Sequence, residues 1–387
     1  MPPDPIPFFA RTLRGTEWLA AAEIGHRCGG AITDVKHREI RFQLDRLQTG
    51  ILELGSVDDL FLTCRILNEV DHKRSALAAL SKDIAGIDFA KTISQLTLLR
   101  EISELPSFDV IASFLGRRNY NRFEIEDSVA AVIRRQTGWN YSPQREGKKD
   151  ELDLSFRIHL SGNEGIIGAR LSSAPLHRRS YKLESRAGTL HPPLAFGLAM
   201  LAGLKANHNL LDPFCGVGTI LIEALKLEPG LSATGIDIDI ESISKAVVVA
   251  ANAKKDIRFL TGDAGRLPFD KGRIDRIISN LPWGRAVDFR GDARSCFEEF
   301  ERVTADDARI VLLIDGFEEQ AQLDQRGFNI LLRTPVSLFG SWPEILILAR
   351  ESQGPGLFID DSSGLGLTLA KYWKLWPSLF DKTQKPS

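Results

Sequence analysis

The feature that most constrains this chain is the stretch from Leu210 to Ala224, where a short apolar run leads through two closely spaced glycines into a helical pattern. This order predicts a β-strand, a tight turn and the first turns of an α-helix. Gly216 and Gly218 have no Cβ atom, so the backbone can turn sharply there and approach a ligand closely. Because open α/β sheets bind ligands at the carboxyl ends of parallel strands, the stretch predicts a ligand-binding α/β domain.

The residues around this turn argue against two common nucleotide-binding motifs. A dinucleotide fingerprint requires a third glycine three residues after Gly218, where this chain has Leu221, so a dehydrogenase is disfavoured. A P-loop requires a Lys-Ser/Thr pair after its glycines, and the sequence has none there. Asp212, just before the turn, supplies a carboxylate that suits a positively charged amine better than a pyrophosphate.

Three further strand-like runs end in polar residues that would complete such a site. Asp237 ends one run and suits the two hydroxyl groups of a ribose. Asp263 follows the next run, where its carboxylate could bind an adenine amino group. Asn280 opens an Asn-Leu-Pro-Trp-Gly loop after a third run. We therefore expect the glycine turn and this loop to face each other over one crevice.

Together these residues resemble the S-adenosylmethionine (SAM) dependent methyltransferases that modify exocyclic amino groups. In that family the signature is (N/D/S)-P-P-(Y/F/W), and here it is Asn280-Leu281-Pro282-Trp283, with Leu281 in place of the first proline. The Asn-Leu-Pro-aromatic-Gly form resembles the THUMP-domain RNA guanine-N2 methyltransferases, including those that act on tRNA. The resemblance implies an α/β fold: a Rossmann-like methyltransferase domain whose seven-stranded sheet is mostly parallel, preceded by α+β ferredoxin-like and THUMP modules.

The resemblance also implies a role for each residue of the site. The Asn280 side chain and the Leu281 carbonyl would accept hydrogen bonds from the target amino group, and Trp283 would stack on the flipped base. Since SAM carries an activated methyl group, positioning and electrostatics suffice, and we expect no metal. The predicted catalytic residues are Asn280, Leu281, Pro282 and Trp283, and the predicted SAM-binding residues are Asp212, Phe214, Gly216, Gly218, Asp237, Ile238, Asp263, Ala264 and Asn280.

The amino-terminal half predicts smaller α+β modules. An aromatic-x-alanine strand that runs into a Gly-x-Glu helix near residue 15 resembles the ferredoxin-like domain of THUMP methyltransferases. The order of strands and helices after it resembles the THUMP domain, a module that holds the single-stranded end of tRNA. We predict a ferredoxin-like domain over 1–58, a THUMP RNA-binding domain over 59–174, a linker over 175–191 and the methyltransferase domain over 192–387.

Basic residues mark the expected RNA contacts. The net charge of -2 gives no global sign of nucleic-acid binding, but residues 108–186 carry 14 Lys and Arg against 10 Asp and Glu. Residues 116–122 and residues 175–182 each form a basic cluster with one tyrosine, which suits phosphate contact and base stacking. The second cluster could also be a solvated linker. Its Leu-His-Arg-Arg-x-Tyr form resembles the linker before the catalytic domain of THUMP methylases. The predicted RNA-binding residues are Arg117, Arg118, Arg178, Arg179 and Lys182.

Composition bounds the compartment. The four cysteines are scattered without a C-x-x-C pair, which argues against a zinc site and a disulfide framework and fits a reducing cytoplasm. No apolar run approaches the roughly 20 residues of a membrane span. The first residues show no secretory signal. We therefore expect a cytoplasmic protein without a membrane partner.

These features predict a SAM-dependent RNA methyltransferase that forms N2-methylguanosine, by resemblance at position 6 in the acceptor stem of tRNA. Several alternatives remain: another tRNA guanine, a 23S rRNA guanine, the N6 atom of adenine in nucleic acid including DNA, or a protein that binds SAM and RNA without turnover. The amino-terminal modules favour RNA, and Leu281 favours guanine. The intact loop that begins at Asn280 counts against an inactive protein.

Overall fold

The protein is described by a computed structural model that covers residues 4–143, 152–181, 189–282, 293–315, 328–338, 340–350 and 364–379. Two of the predicted site residues, Lys182 and Trp283, lie outside the described residues. The described chain forms two β-sheets, an eight-stranded sheet in the amino-terminal half and a seven-stranded sheet in the carboxyl-terminal half.

The amino-terminal sheet has the strand order β2-β3-β1-β4-β8-β7-β5-β6. Strand β1 pairs antiparallel with both β3 and β4, so strands from both predicted amino-terminal modules share one sheet. Local signals bound its helices: α1 ends at Gly29 in the left-handed conformation, and a capping box of Asn121 and Glu124 begins α4. The elements are β1 Ile6–Arg11, α1 Glu17–Cys28, β2 Ala31–Lys36, β3 Glu39–Leu44, a 3-10 helix Thr49–Glu53, β4 Asp59–Leu67, α2 Ala76–Ile84, α3 Phe89–Leu96, β5 Ser107–Phe114, α4 Arg122–Thr137, β6 Asn140–Tyr141, β7 Leu154–Ser161 and β8 Glu164–Arg170.

The second sheet has the order β11-β10-β9-β12-β13-β15-β14. Its strands from β11 to β13 are parallel neighbours, and β15 runs antiparallel between β13 and β14. The predicted seven-stranded, mostly parallel sheet is therefore confirmed. The elements are α5 Pro192–Leu201, β9 Asn209–Asp212, α6 Thr219–Leu227, β10 Ser232–Asp237, α7 Ile240–Asn252, β11 Arg258–Thr261, β12 Ile274–Asn280, α8 Ala293–Val303, β13 Thr304–Ile314, β14 Phe328–Pro335, β15 Glu344–Arg350 and α9 Leu365–Leu379.

A continuous apolar core joins the two sheets. Helix α9 follows the second sheet in sequence but packs on α1 of the amino-terminal half, where the rings of Trp373 and Trp18 lie 4.9 Å apart. Helix α5 also contacts α1. Among the described residues, no helix is long and apolar enough to cross a membrane.

Two glycines allow the halves to approach closely. Gly15 has φ +97°, and a Cβ atom there would lie 2.5 Å from the carbonyl oxygen of Pro335. A Cβ atom on Gly55 would lie 2.4 Å from the ring of Phe196 in α5. Real Cβ atoms essentially never come this close to other atoms, so an alanine at either position would force the two halves to shift apart.

We expect Gly15→Ala to lower the free energy of unfolding more than Gly29→Ala. Both glycines have positive φ, which costs about 1–2 kcal/mol for alanine, but Gly29 has no atom within 4 Å of its Cβ position. Overlap with Pro335 should add about 1–3 kcal/mol to the cost of the first substitution. Urea unfolding of the two variants checks this, and equal losses would contradict it.

Candidate active site

The glycine turn and the Asn280 loop lie at the same edge of the second sheet. Strands β9 and β12 are parallel neighbours with Leu211 opposite Ile277, so their carboxyl ends meet. At this edge the Ser279 hydroxyl donates a hydrogen bond of 2.6 Å to Oδ1 of Asp212. The turn and the start of the loop therefore lie at one edge of the sheet, as the expected crevice requires.

The two glycines of the turn have different tasks. Gly216 has φ +52°, and no atom lies within 4 Å of the position its Cβ would occupy. Gly218 has φ +81°, and a Cβ there would lie 3.0 Å from the ring of Phe259. The first glycine thus leaves open space beside the turn, while the second allows packing where α6 begins. The open space suits the methionine part of SAM.

Asp237 at the end of β10 holds the turn in place. Its Oδ2 accepts a hydrogen bond of 2.9 Å from the Gly216 amide, and its Oδ1 accepts one of 2.9 Å from the Asp239 amide. A carboxylate has about four acceptor positions, so capacity remains for the hydroxyl groups of a ribose. The next side chain, Ile238, is 70% exposed and offers an apolar surface beside Asp237 that suits an adenine ring.

The Asp263 carboxylate is exposed at the end of β11, and its Oδ1 accepts a hydrogen bond of 2.8 Å from the Gly265 amide. The neighbouring Ala264 is buried. This arrangement leaves the Asp263 side chain at the surface as a candidate partner for adenine, whereas Ala264 packs into the core.

Asp212 is almost completely buried, at 1% exposure. Besides the Ser279 hydroxyl, the Phe214 amide donates to its Oδ1 at 3.2 Å. Burial, and to a smaller extent the nearby Asp237 charge, raise the pKa of this carboxyl, the two hydrogen bonds oppose the shift, and the resulting pKa is about 7. Asp212 therefore links the turn to the loop and carries a proton in part of the free molecules near neutral pH.

Sequence reasoning missed Ser279. In the sequence, this serine is one polar residue at the end of an apolar run, with no sign of its partner. Only the pairing of β9 with β12 brings its hydroxyl to Asp212. A small hydroxyl residue directly before the Asn-x-Pro-aromatic loop is the signal by which the contact could have been found.

The acceptor loop is fixed by its backbone. The Leu281 amide donates to the Leu313 carbonyl on β13 at 3.1 Å. The Leu281 side chain is buried in the apolar cluster that contains Phe297, and the partly buried Phe214 packs against the same cluster. An apolar residue is thus accommodated where the family signature has proline. Asn280 ends β12 and is half-buried, and Pro282 is the last described residue of the loop.

The RNA prediction is wrong for Arg179. Its side chain is only 8% exposed and forms an ion pair of 3.1 Å with Glu223 on α6. Arg118 is half-buried, and its guanidinium donates to the carbonyls of Val70 and Gly162, so it shapes the loop around it. Both guanidinium groups donate to protein acceptors, and through these hydrogen bonds each joins segments that are distant in sequence. Two predicted RNA-binding residues are exposed, Arg117 and Arg178.

Comparison with known proteins identifies the family. Residues 179–324 match the model of the UPF0020 family (RMKL-like, methyltransferase domain). The tRNA (guanine(6)-N2)-methyltransferase of Thermus thermophilus is 33% identical over 278 residues, which cover 71% of this chain and 78% of that enzyme. The chain belongs to the family of this enzyme.

Other relatives match over a smaller share of their length. The U6 snRNA (guanine-N(2))-methyltransferase THUMPD2 of Bos taurus is 31% identical over 193 residues, which cover 49% of this chain and 37% of that protein. The matches to three mammalian THUMPD2 proteins cover 37–40% of their length.

Solved structures show the same fold. The crystal structure of TrmN from Thermus thermophilus has a TM-score of 0.72 and 24% identity, and the match covers 89% of this chain and 99% of that chain. SMU.472, a putative methyltransferase complexed with SAH, has a TM-score of 0.69 and 14% identity over 89% and 98% of the two chains. The fold is that of the Rossmann-like SAM methyltransferases.

We expect SAM affinity to rise with pH up to about 7, the pKa of Asp212 in the free protein. Below that pH the carboxyl is protonated, and only the carboxylate attracts the cationic methionine end of SAM. Calorimetry between about pH 5.5 and about pH 8.5 should show roughly tenfold weakening for each unit below the pKa. Asp212→Asn should bind weakly at every pH and lose this slope.

The matched control is Glu17→Gln. Glu17 is a second buried carboxyl whose pKa is raised by burial to about 7, but it lies in α1 of the first sheet. Its replacement should leave the pH dependence of SAM affinity unchanged. A slope that survives Asp212→Asn, or disappears in Glu17→Gln, would assign the effect to another group.

Proposed function

We propose that this protein is a SAM-dependent RNA methyltransferase that forms N2-methylguanosine in tRNA, in the acceptor stem at position 6. The observation that carries the proposal is the 2.6 Å hydrogen bond from Ser279 to Asp212, because it joins the candidate cofactor turn to the candidate acceptor loop. The Thermus thermophilus relative is a tRNA (guanine(6)-N2)-methyltransferase, which supports guanine N2 as the methylated atom.

The chemistry follows from the loop residues. The exocyclic amine of guanine is a poor nucleophile because its lone pair is delocalised into the ring. The Asn280 side-chain oxygen and the Leu281 carbonyl would each accept a hydrogen bond from this amine, which favours tetrahedral nitrogen and turns the lone pair outward. SAM, when bound, supplies a methyl group activated by its sulfonium. An asparagine amide is not a base near neutral pH, so the amine proton leaves to solvent after transfer.

The cofactor would be held by the residues around the turn. The space beside Gly216 would take the methionine part, Asp237 the ribose hydroxyls, and Ile238 the adenine face. Asp263 would accept a hydrogen bond from the adenine amino group. The Asp212 carboxylate would attract the cationic methionine end, and Phe214, Gly218 and Ala264 would shape this cradle from behind.

RNA would bind first to the amino-terminal module, which we propose is a ferredoxin-like domain over 1–58 followed by a THUMP domain over 59–174. Two loops of this module meet: the Asn119 amide donates to the His72 carbonyl at 2.9 Å. Around them lie exposed Arg117 and Arg122, and the Arg122 guanidinium lies 4.6 Å from the centre of the Phe123 ring. Exposed cations beside an aromatic ring suit phosphate contact and base stacking.

The linker over 175–191 would add one contact, exposed Arg178, before the methyltransferase domain over 192–387.

All four cysteines, Cys28, Cys64, Cys215 and Cys296, are free thiols, which supports the proposal of a reducing, cytoplasmic compartment.

Labelled SAM incubated with unmodified tRNA should yield N2-methylguanosine after digestion to nucleosides. Asn280→Ala should lower turnover about 100-fold or more, because a preorganised hydrogen-bonding group is lost, while SAM still binds. Labelled N6-methyladenosine in the digest would refute guanine as the target. Unchanged turnover in Asn280→Ala would refute the assigned role of the loop.

U6 snRNA is the second candidate substrate, because the mammalian relatives carry that activity in their names. The same assay run in parallel on U6 snRNA and on 23S rRNA separates these substrates from tRNA. Methylation confined to either of them would keep the reaction and change the substrate.

The exposed arginines should control RNA affinity. We expect Arg117→Ala and Arg178→Ala each to flatten the slope of log affinity against log salt concentration by about 0.7–0.9, since each removes one phosphate contact. Fluorescence anisotropy with a labelled tRNA transcript measures the slope. Arg258→Ala is the control, because Arg258 is exposed at the amino end of β11, opposite the proposed site. An equal change in the control would show that overall charge alone is responsible.

A further inference from the structure

Arg179 of the linker is the centre of a buried hydrogen-bond network. Its Nε and one terminal nitrogen donate to the two carboxylate oxygens of Glu223, both at 3.1 Å. The same terminal nitrogen donates to the Gly55 carbonyl at 2.6 Å, and the other donates to the Leu176 carbonyl at 2.6 Å. One guanidinium thus contacts three separate parts of the chain.

On the catalytic side the network ends at α6. Glu223 is fully buried, and the Tyr181 hydroxyl donates to it at 2.5 Å. Lys226 approaches the same carboxylate at 3.5 Å. Helix α6 begins directly after Gly218, so the residue that Arg179 binds lies on the helix that continues the candidate cofactor turn.

On the other side the network reaches the amino-terminal module through Gly55. The amides of Gly55 and Ser56 each donate to Glu23 of α1 at 2.8 Å. Close approach of Gly55 to the ring of Phe196 fixes this segment against α5 as well. Arg179 therefore joins α1 of the module to α6 of the catalytic domain through one hydrogen-bonded segment.

We propose that Arg179 and Glu223 are positioning residues that fix the cofactor turn relative to the amino-terminal module, so that RNA held by the module presents its guanine at Asn280. This inference rests on the proposed function. A planar guanidinium binds its acceptors in a fixed fork, so it sets orientation as well as distance. An error of about 1 Å in such positioning can cost about 100-fold in rate.

Stability alone is a weak explanation for the pair. Buried ion pairs are often no more stabilising than apolar residues of similar size, so an apolar contact would hold the halves together equally well. An apolar contact, however, would not define one orientation. The network is best explained by the orientation that it imposes.

The test compares Arg179→Met and Glu223→Gln with the wild-type protein on two RNAs. One is a full-length tRNA transcript, and the other is its acceptor-stem hairpin without the single-stranded 3′ end. We expect kcat per titrated SAM-binding site to fall about 10- to 100-fold on the full-length transcript, with KM and the Kd for SAM unchanged. The rate on the trimmed hairpin should change little, because this RNA lacks the end that the module holds.

Arg276→Met is the matched control. Arg276 is also buried, and its Nε donates to the Ala202 carbonyl at 2.8 Å at the end of α5, within the catalytic domain. This variant should lower Tm without changing the ratio of the rates on the two RNAs. If Arg179→Met does not fold, Arg179→Lys takes its place, because lysine retains the charge but not the planar fork of the guanidinium. This variant should show the same selective fall in kcat on the full-length transcript, but a smaller one.

The outcomes separate the two proposals. Equal loss on both RNAs, or full activity of both variants on the full-length transcript, would overturn the positioning role. A wild-type protein that binds SAM but methylates neither RNA would instead overturn the proposed tRNA activity. If the wild type methylates only the full-length transcript, the two variants are compared on that RNA alone. A lower kcat with unchanged KM then supports the positioning role, and an unchanged kcat overturns it.

Discussion

The hydrogen bond between Ser279 and Asp212 is the contact on which the site depends. Both side chains are buried, so the bond is shielded from water, and loss of either partner would leave an unsatisfied polar group. It joins the ends of two neighbouring parallel strands, one leading to the glycine turn and the other to Asn280. The glycine turn and Asn280 are therefore held beside each other by the pairing of β9 with β12.

Residues that end apolar runs could be located from the sequence, because the spacing of apolar residues and the residues that form turns are local features of the chain. Asp212, Asp237 and Asn280 lie where the runs predicted, at one edge of one sheet. Residues whose partners are distant could not be interpreted. Arg179 stands in a basic cluster typical of phosphate contact, and only the fold shows that Glu223, 44 positions later, is its partner.

The same limit applies to the fold. Local patterns predicted most strands of the amino-terminal half, but not that β4 and β8 would extend the sheet begun by β1. Pairing in one sheet removes edges that two separate modules would each expose. The position of helix α9 also depends on a partner distant in sequence, since its apolar residues pack on α1, more than 300 residues earlier in the chain.

Buried carboxylates hold the segments at which the two halves meet. Glu17 binds the amides of Gly15 and Arg38, Glu23 binds the segment that begins at Gly55, and Glu223 binds Arg179. Each would be costly if its partners moved away, because an unpaired buried charge is far less stable than a hydrated one. Hydrogen bonds to these carboxylates fix direction as well as distance, in addition to the close packing of the apolar core. In the proposed function, such contacts would keep RNA bound by the amino-terminal module at a constant distance from Asn280.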